Sequence, residues 1–285
     1  MILKSAFNAV QNKVREKKAA IAAARAFHLL ASEKHADNAA QIVQILKSTP
    51  AARQTRNGDG YTPLQVALYQ DKLNAADTIL RAFPEDADMR DKDGRTLLMG
   101  YATQGFGPAA QLLLARGADV ALTDKNGDSA LHYAMKNAES AFAAELLRRD
   151  APVNAANNQG VTPLMLAAES DDKSLLLSCL LLARADLDMK DSSGQNATMA
   201  AIRWAAFDNA ERLLKAGGTP DFDSPFMRHT VEAAQKENKQ SFLLALQAAK
   251  PARTDLQKKC ATEIAECLAR GAGRVTLLKP VRFKN

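Results

Sequence analysis

The chain has little of what staples or flattens a fold. Cysteine occurs three times in 285 residues, at Cys179, Cys260 and Cys267. That is too few and too late for a disulfide framework, so a reducing compartment is expected. Aromatic residues make up only 5%, which disfavours a β-sandwich or barrel, whose strands draw on aromatic and β-branched side chains. No apolar run approaches the roughly 18 residues that a membrane-spanning helix needs. The four histidines, His28, His35, His132 and His229, are scattered, and none has a second histidine or a cysteine at i+3 or i+4, so no zinc site is expected. Neither a phosphate-binding G-x-x-x-x-G-K-[ST] loop nor a G-x-S-x-G nucleophile elbow occurs. No catalytic residue, metal or cofactor is therefore expected.

Alanine is what the chain has in excess: 55 residues, in a sequence that is 47% hydrophobic and 25% charged. That balance suits closely packed helices. The net charge of +6 sits at the ends. Residues 1–18 hold five Lys/Arg against one Glu, and residues 250–285 hold nine against three acids. The stretch 19–249 is left with 24 basic and 28 acidic residues. A nucleic-acid reader spreads positive charge over its main surface, so no nucleic acid is expected as a partner. The basic ends, 1–18 and 274–285, suit peripheral contact with a membrane or an acidic surface.

Self-similarity is the strongest signal. Glycines stand at Gly60, Gly94, Gly127, Gly160 and Gly194, spaced 34, 33, 33 and 34 residues apart. Two residues after each comes Thr62, Thr96, Ser129, Thr162 or Asn196, a short polar side chain able to cap a helix. Fourteen residues before each later glycine is a leucine: Leu80, Leu113, Leu146 and Leu180. Each period reads as a polar glycine turn, a short inner helix, and a leucine-bearing outer helix with a stop such as Arg116-Gly117. One such helix pair cannot bury its apolar face alone, so neighbours must stack.

Thr62-Pro63-Leu64-Gln65-Val66-Ala67, Ser129-Ala130-Leu131-His132-Tyr133-Ala134 and Thr162-Pro163-Leu164-Met165-Leu166-Ala167 resemble the T-P-L-H-x-A signature of the ankyrin repeat. Leu114 to Asp119 resembles its closing L-x-x-G-A-D. The second repeat departs from the pattern, with Leu97 for the proline and Tyr101 for the small alanine; Gly100 beside Tyr101 is expected to make room. The fifth departs with Asn196-Ala197-Thr198-Met199. The resemblance implies an all-α ankyrin-repeat solenoid of stacked helix-turn-helix units, with short hairpin loops and degenerate capping repeats. Five repeats span 57–222. A degenerate N-terminal capping repeat covers 19–56 and a degenerate sixth covers 223–250. Residues 251–285 hold a capping helix, about 254–269, and a basic tail in which Val275, Leu277, Leu278, Val281 and Phe283 suggest packing in extended form. Residues 1–18 read as a basic amphipathic helix with Leu3, Phe7, Val10 and Val14 on one stripe, either retained or serving as a targeting segment.

The resemblance further implies a non-catalytic scaffold or adaptor that binds another protein on the concave face, through hairpin tips and exposed inner-helix positions. Carried over by position, the candidates are Tyr61, Tyr69, Arg95, Gln104, Asp128, Lys136, Glu169, Arg203 and Trp204. Tyr, Trp and Arg are the types most often found as interface hot spots. Packing on the sixth unit is the competing role for Trp204, and hydrogen bonding to the hairpin backbone is the expected one for His132. A cytoplasmic location is expected. The alternative is a bacterial effector or membrane-associated assembly factor, organelle-targeted or delivered to a host cell, whose non-repeat ends carry a targeting or enzymatic role.

Overall fold

The computed structural model describes residues 2–31 and 36–249. The expected helix at 254–269, the tail from 274, and with them Cys260 and Cys267 lie outside the described residues. The chain divides between Lys125 and Asn126 into two compact units. Among the described residues both are helical throughout, apart from an isolated bridge between Arg90 and Thr96.

The first unit opens with α1, Ile2–Ala31, a single helix that runs through the expected boundary at residue 18. No glycine or proline interrupts it, and alanine favours continuation. Its residues 11–18 are exposed, whereas Ala19, Ala22, Ala23, Ala26 and Leu30 form a buried stripe at helical spacing. Helix α2, Ala36–Ser48, packs on it and buries Ile42, Val43 and Leu46. Two repeats follow: α3, Pro63–Tyr69, with α4, Leu73–Ala82, then α5, Leu97–Tyr101, with α6, Pro108–Ala115. Inner α3 seats on α1, and outer α4 lies between α2 and α6.

A polar knot closes the first of these repeats. Arg53 donates to Glu85 at 2.5 Å, lies 3.5 Å from Asp86, and covers the Phe83 ring at 4.3 Å from its centroid. Asp86 is buried. Burial pushes its carboxyl up to about 6, against the pull of Arg53 and with a further push from Glu85. A folded-state pKa above the unfolded one means that stability falls as pH rises through the window between about 4 and 6. Asp86→Asn should therefore gain on the parent by on the order of 1–3 kcal/mol between those two pH values. Urea titrations at pH 4 and pH 7 measure it, and parallel pH profiles for the two proteins would refute it.

The second unit continues the pattern with inner helices α7, Ala130–Lys136, α9, Pro163–Ala168, α11, Ala197–Arg203, and α13, Pro225–Lys236. Their outer companions are α8, Ser140–Arg148, α10, Ser174–Leu182, α12, Phe207–Lys215, and α14, Gln240–Ala248. Each inner helix packs on the next inner one, and each outer helix on the next outer one. The core is Leu131, Phe142, Leu146, Leu164, Leu177, Leu180, Ile202, Phe207, Leu213 and their alanine neighbours, all essentially inaccessible. Small alanines at the contacts (Ala134, Ala167, Ala201, Ala234) let the inner helices approach closely. Asn209 ties layers together: its side-chain amide donates to the Ala167 and Ser170 carbonyls at 3.1 and 2.7 Å.

Candidate functional site

The exposed inner-helix surface is built from the turn upward. In four tips one Asx side chain organises the chain by accepting two backbone N–H groups. Asn57 Oδ1 takes those of Asp59 and Tyr61, and Asp91 Oδ1 those of Asp93 and Arg95. Asn157 Oδ1 takes Gln159 and Val161, and Asp191 Oδ1 takes Ser193 and Gln195, all at 2.8–3.1 Å. The side chain two residues past each glycine then caps the inner helix, with Thr62, Thr96, Ser129, Thr162 and Asn196 each accepting from the N–H three residues on. Tips stack through single backbone bonds, from Asn158 N–H to Asn126 O at 2.9 Å and from Ser192 N–H to Gln159 O at 2.8 Å.

His132 shows how the signature histidine works. It is wholly buried. Its Nδ1 lies 3.2 Å from the Ser129 backbone nitrogen and 2.8 Å from Ser129 Oγ, and its Nε2 lies 3.1 Å from the Val161 carbonyl oxygen. With the proton on Nε2, one ring accepts within its own cap and donates to the next tip. This histidine is a structural strut.

In the first unit the candidates converge on aromatics. Tyr61 at the tip and Tyr69 at the end of α3 are 41% and 44% exposed, with ring centroids 4.9 Å apart. Tyr101, which sequence position did not select, continues the row 6.2 Å from Tyr69. It is buried, and its hydroxyl has no hydrogen-bond partner. Burial, then the neighbouring Tyr69, then the charge of Asp71 push its phenol upward. Burial, Tyr61 and Asp91 do the same to Tyr69. The expected role of Gly100 in making room is not seen, because a Cβ there would meet nothing within 4 Å. Tyr101 finds its space against Tyr69 instead. Arg95 and Gln104 are exposed.

In the second unit one candidate needs correcting. Asp128 is buried, 4% exposed. It accepts from Lys136 Nζ at 2.5 Å and from Asn157 Nδ2 at 2.9 Å. Burial pushes its carboxyl up, but those hydrogen bonds outweigh it and hold the carboxyl below the usual range. Asp128 is thus a brace that positions Lys136. Glu169 is half-buried, and burial raises its carboxyl against the charges of Lys173, Lys136 and Arg203. Trp204 stays 59% exposed. The contact with the sixth unit falls to Arg203, whose guanidinium lies 5.2 Å from the Phe226 ring and 5.8 Å from the Trp204 ring.

Two exposed leucines on α10 were also missed. Leu175 and Leu182 are 63% and 85% exposed. In the run Ser174-Leu175-Leu176-Leu177-Ser178-Cys179-Leu180-Leu181-Leu182 every face is rich in leucine, so periodicity cannot tell core from surface. Among the described residues no three His, Cys, Asp or Glu side chains gather as a metal would require, and no helix is long and apolar enough to cross a membrane.

Comparisons with known proteins agree with this architecture. The family model for ankyrin repeats (3 copies) matches in overlapping windows at 27–124, 73–157, 99–177 and 143–224. Neurogenic locus notch homolog protein 1 of Rattus norvegicus is 28% identical over 220 residues, 68% of this chain and 8% of that protein. The ankyrin repeat and KH domain-containing protein mask-1 of Caenorhabditis elegans is 29% identical over 201 residues, 70% of this chain and 7% of its own length. The chain thus spans less than a tenth of these relatives. An ankyrin repeat domain from Acinetobacter baumannii superposes with a TM-score of 0.52 at 24% identity, covering 64% of this chain and 95% of that one, a likeness of fold. With stacked glycine tips, reciprocal caps and a histidine strut in the expected places, the chain belongs to the ankyrin-repeat family.

Proposed function

We propose that the chain is a non-catalytic scaffold or adaptor whose partner is another protein, bound on the exposed faces of the inner helices and their tips. Ankyrin repeats generally serve as protein–protein interaction modules. The observation that carries the reading here is large aromatic side chains left exposed on the inner helices and tips of each unit: Tyr61 and Tyr69 in the first, Trp204 in the second. Isolated exposed apolar groups are ordinary. Here, however, two tyrosines pair with tilted rings, and Trp204 sits beside Arg203, the residue types that dominate interface energetics. Asp128 supports the surface from beneath by fixing Lys136.

Affinity capture with the full chain as bait, followed by mass spectrometry, identifies the partner. Tyr69→Ala and Trp204→Ala, made separately, should each weaken the captured complex at least about tenfold if they are hot spots. Leu182→Gln on the outer helix should leave it unchanged. Titration of each purified variant against the partner decides. Loss with Leu182→Gln but not with the inner-face variants would place the interface elsewhere.

A further inference from the structure

The tyrosine row of the first unit has a chemistry more specific than a greasy patch. The rings of Tyr61, Tyr69 and Tyr101 follow one another at 4.9 and 6.2 Å between centroids, tilted by 58° and 40°; the first two are exposed and Tyr101 backs them from within. Two carboxylates sit within electrostatic reach of these rings, Asp91 acting on Tyr69 and Asp71 on Tyr101. Asp71 is exposed and makes no side-chain hydrogen bond or ion pair among the described residues. The Tyr101 hydroxyl is buried without a partner among the described residues.

We propose that the exposed Tyr61–Tyr69 pair, backed by Tyr101 and edged by Asp71 and Asp91, receives an arginine side chain of the partner protein. The inference rests on the protein-binding reading above and names the chemistry of the group bound. Ring faces attract a cation, and a flat guanidinium stacks on them better than a compact ammonium does. Its five N–H donors match what the site lacks, since the exposed Asp71 carboxylate offers free acceptors. An acidic ligand would meet two carboxylates. A purely apolar one would cover the Asp71 carboxylate without satisfying it.

The test uses the full chain with 13C-labelled tyrosine rings, titrated with a capped Gly-Ser-Gly-Arg-Gly-Ser-Gly peptide. The same peptide carrying citrulline, which keeps the shape and loses the charge, is the control. The protein has four tyrosines, so Tyr133 in the second unit serves as an internal reference. The arginine peptide should shift Tyr61, Tyr69 and Tyr101 saturably and leave Tyr133 in place, while citrulline binds at least about fivefold more weakly. Asp71→Asn and Tyr69→Leu should each cost about fivefold. Asp71 has φ 56°, a conformation that asparagine tolerates, so the first variant keeps the turn. No saturable shift, equal binding of citrulline, or an unchanged Asp71→Asn would overturn the proposal. If Tyr69→Leu abolishes capture of the partner while the arginine peptide is inert, the interaction surface stands and the arginine reading falls. If the arginine peptide binds as described and no partner is captured, the pocket stands without the adaptor role.

Discussion

Phe207→Ala should lower stability by about 3–5 kcal/mol, and the loss should be confined mainly to the end of the second unit. Phe207 opens α12 and is 2% exposed. Its ring lies 5.3 Å from that of Phe242 on α14, at 52°, so the substitution removes both a large buried side chain and a tilted aromatic pair. Lys239 adds to the seat: its ammonium lies 5.9 Å from the Phe207 ring and 3.2 Å from Asp208 Oδ1. Helix α14 has α12 as its outer neighbour and no later one among the described residues. In a repeat array each unit is held only by those beside it, so a broken interface near one end is not shared across the stack. Hydrogen exchange should show residues 225–248 losing protection well before α7 and α9 do. A uniform loss across the second unit, or a change under about 1 kcal/mol, would show that the sixth unit is held by other contacts.

How much of this was legible in the sequence follows from how local each cause is. The repeat was readable because its parts are decided within a few residues. A glycine at positive φ makes the tip, an Asx side chain folds over it, and a Ser or Thr caps the helix behind it. His132 was readable for the same reason, although its partner Val161 lies 29 residues on. The continuous α1 was less so, because the basic stretch and the alanine stripe differ in composition without any residue that would break the helix between them. The division of the chain between Lys125 and Asn126 left no composition signal, since it falls inside an ordinary Asp-Lys-Asn-Gly turn.

The candidate site was legible in outline only. Register predicts which positions leave the stack, and for Tyr61, Tyr69, Arg95, Gln104, Lys136, Arg203 and Trp204 exposure follows. Where a side chain turns once it leaves is decided by partners far along the chain. Asp128 folds back because Asn157, in the next repeat, donates to it and Lys136 reaches across. Tyr101 was noticed as an oversized residue in an alanine position, but its use appeared only when Tyr69 was seen beside it. Leu182 was hidden by a helix with no polar face to orient it.

The tips allow a comparison that separates backbone strain from close approach. Gly127 and Gly194 have almost the same φ, 79° and 78°, so a β-branched residue at either suffers the left-handed strain of about 1–3 kcal/mol. Their surroundings differ. A Cβ on Gly127 would lie 2.8 Å from the Asn158 backbone nitrogen and from Asn158 Oδ1, because the next tip stacks directly on it. A Cβ on Gly194 would meet nothing within 4 Å. The degenerate sixth unit has Met227 where the period asks for another glycine, and instead makes a turn held by Asp221. Gly127→Val should therefore destabilise by about 3–5 kcal/mol, since overpacking adds to strain, and Gly194→Val by only the strain itself. Chemical denaturation of both variants measures the gap. The Asn158 N–H bond to Asn126 O should lose exchange protection in the first variant alone, because only there must the neighbouring tip move to admit the side chain. Equal destabilisation of the two would mean that strain dominates and that the stacked tips yield without appreciable resistance.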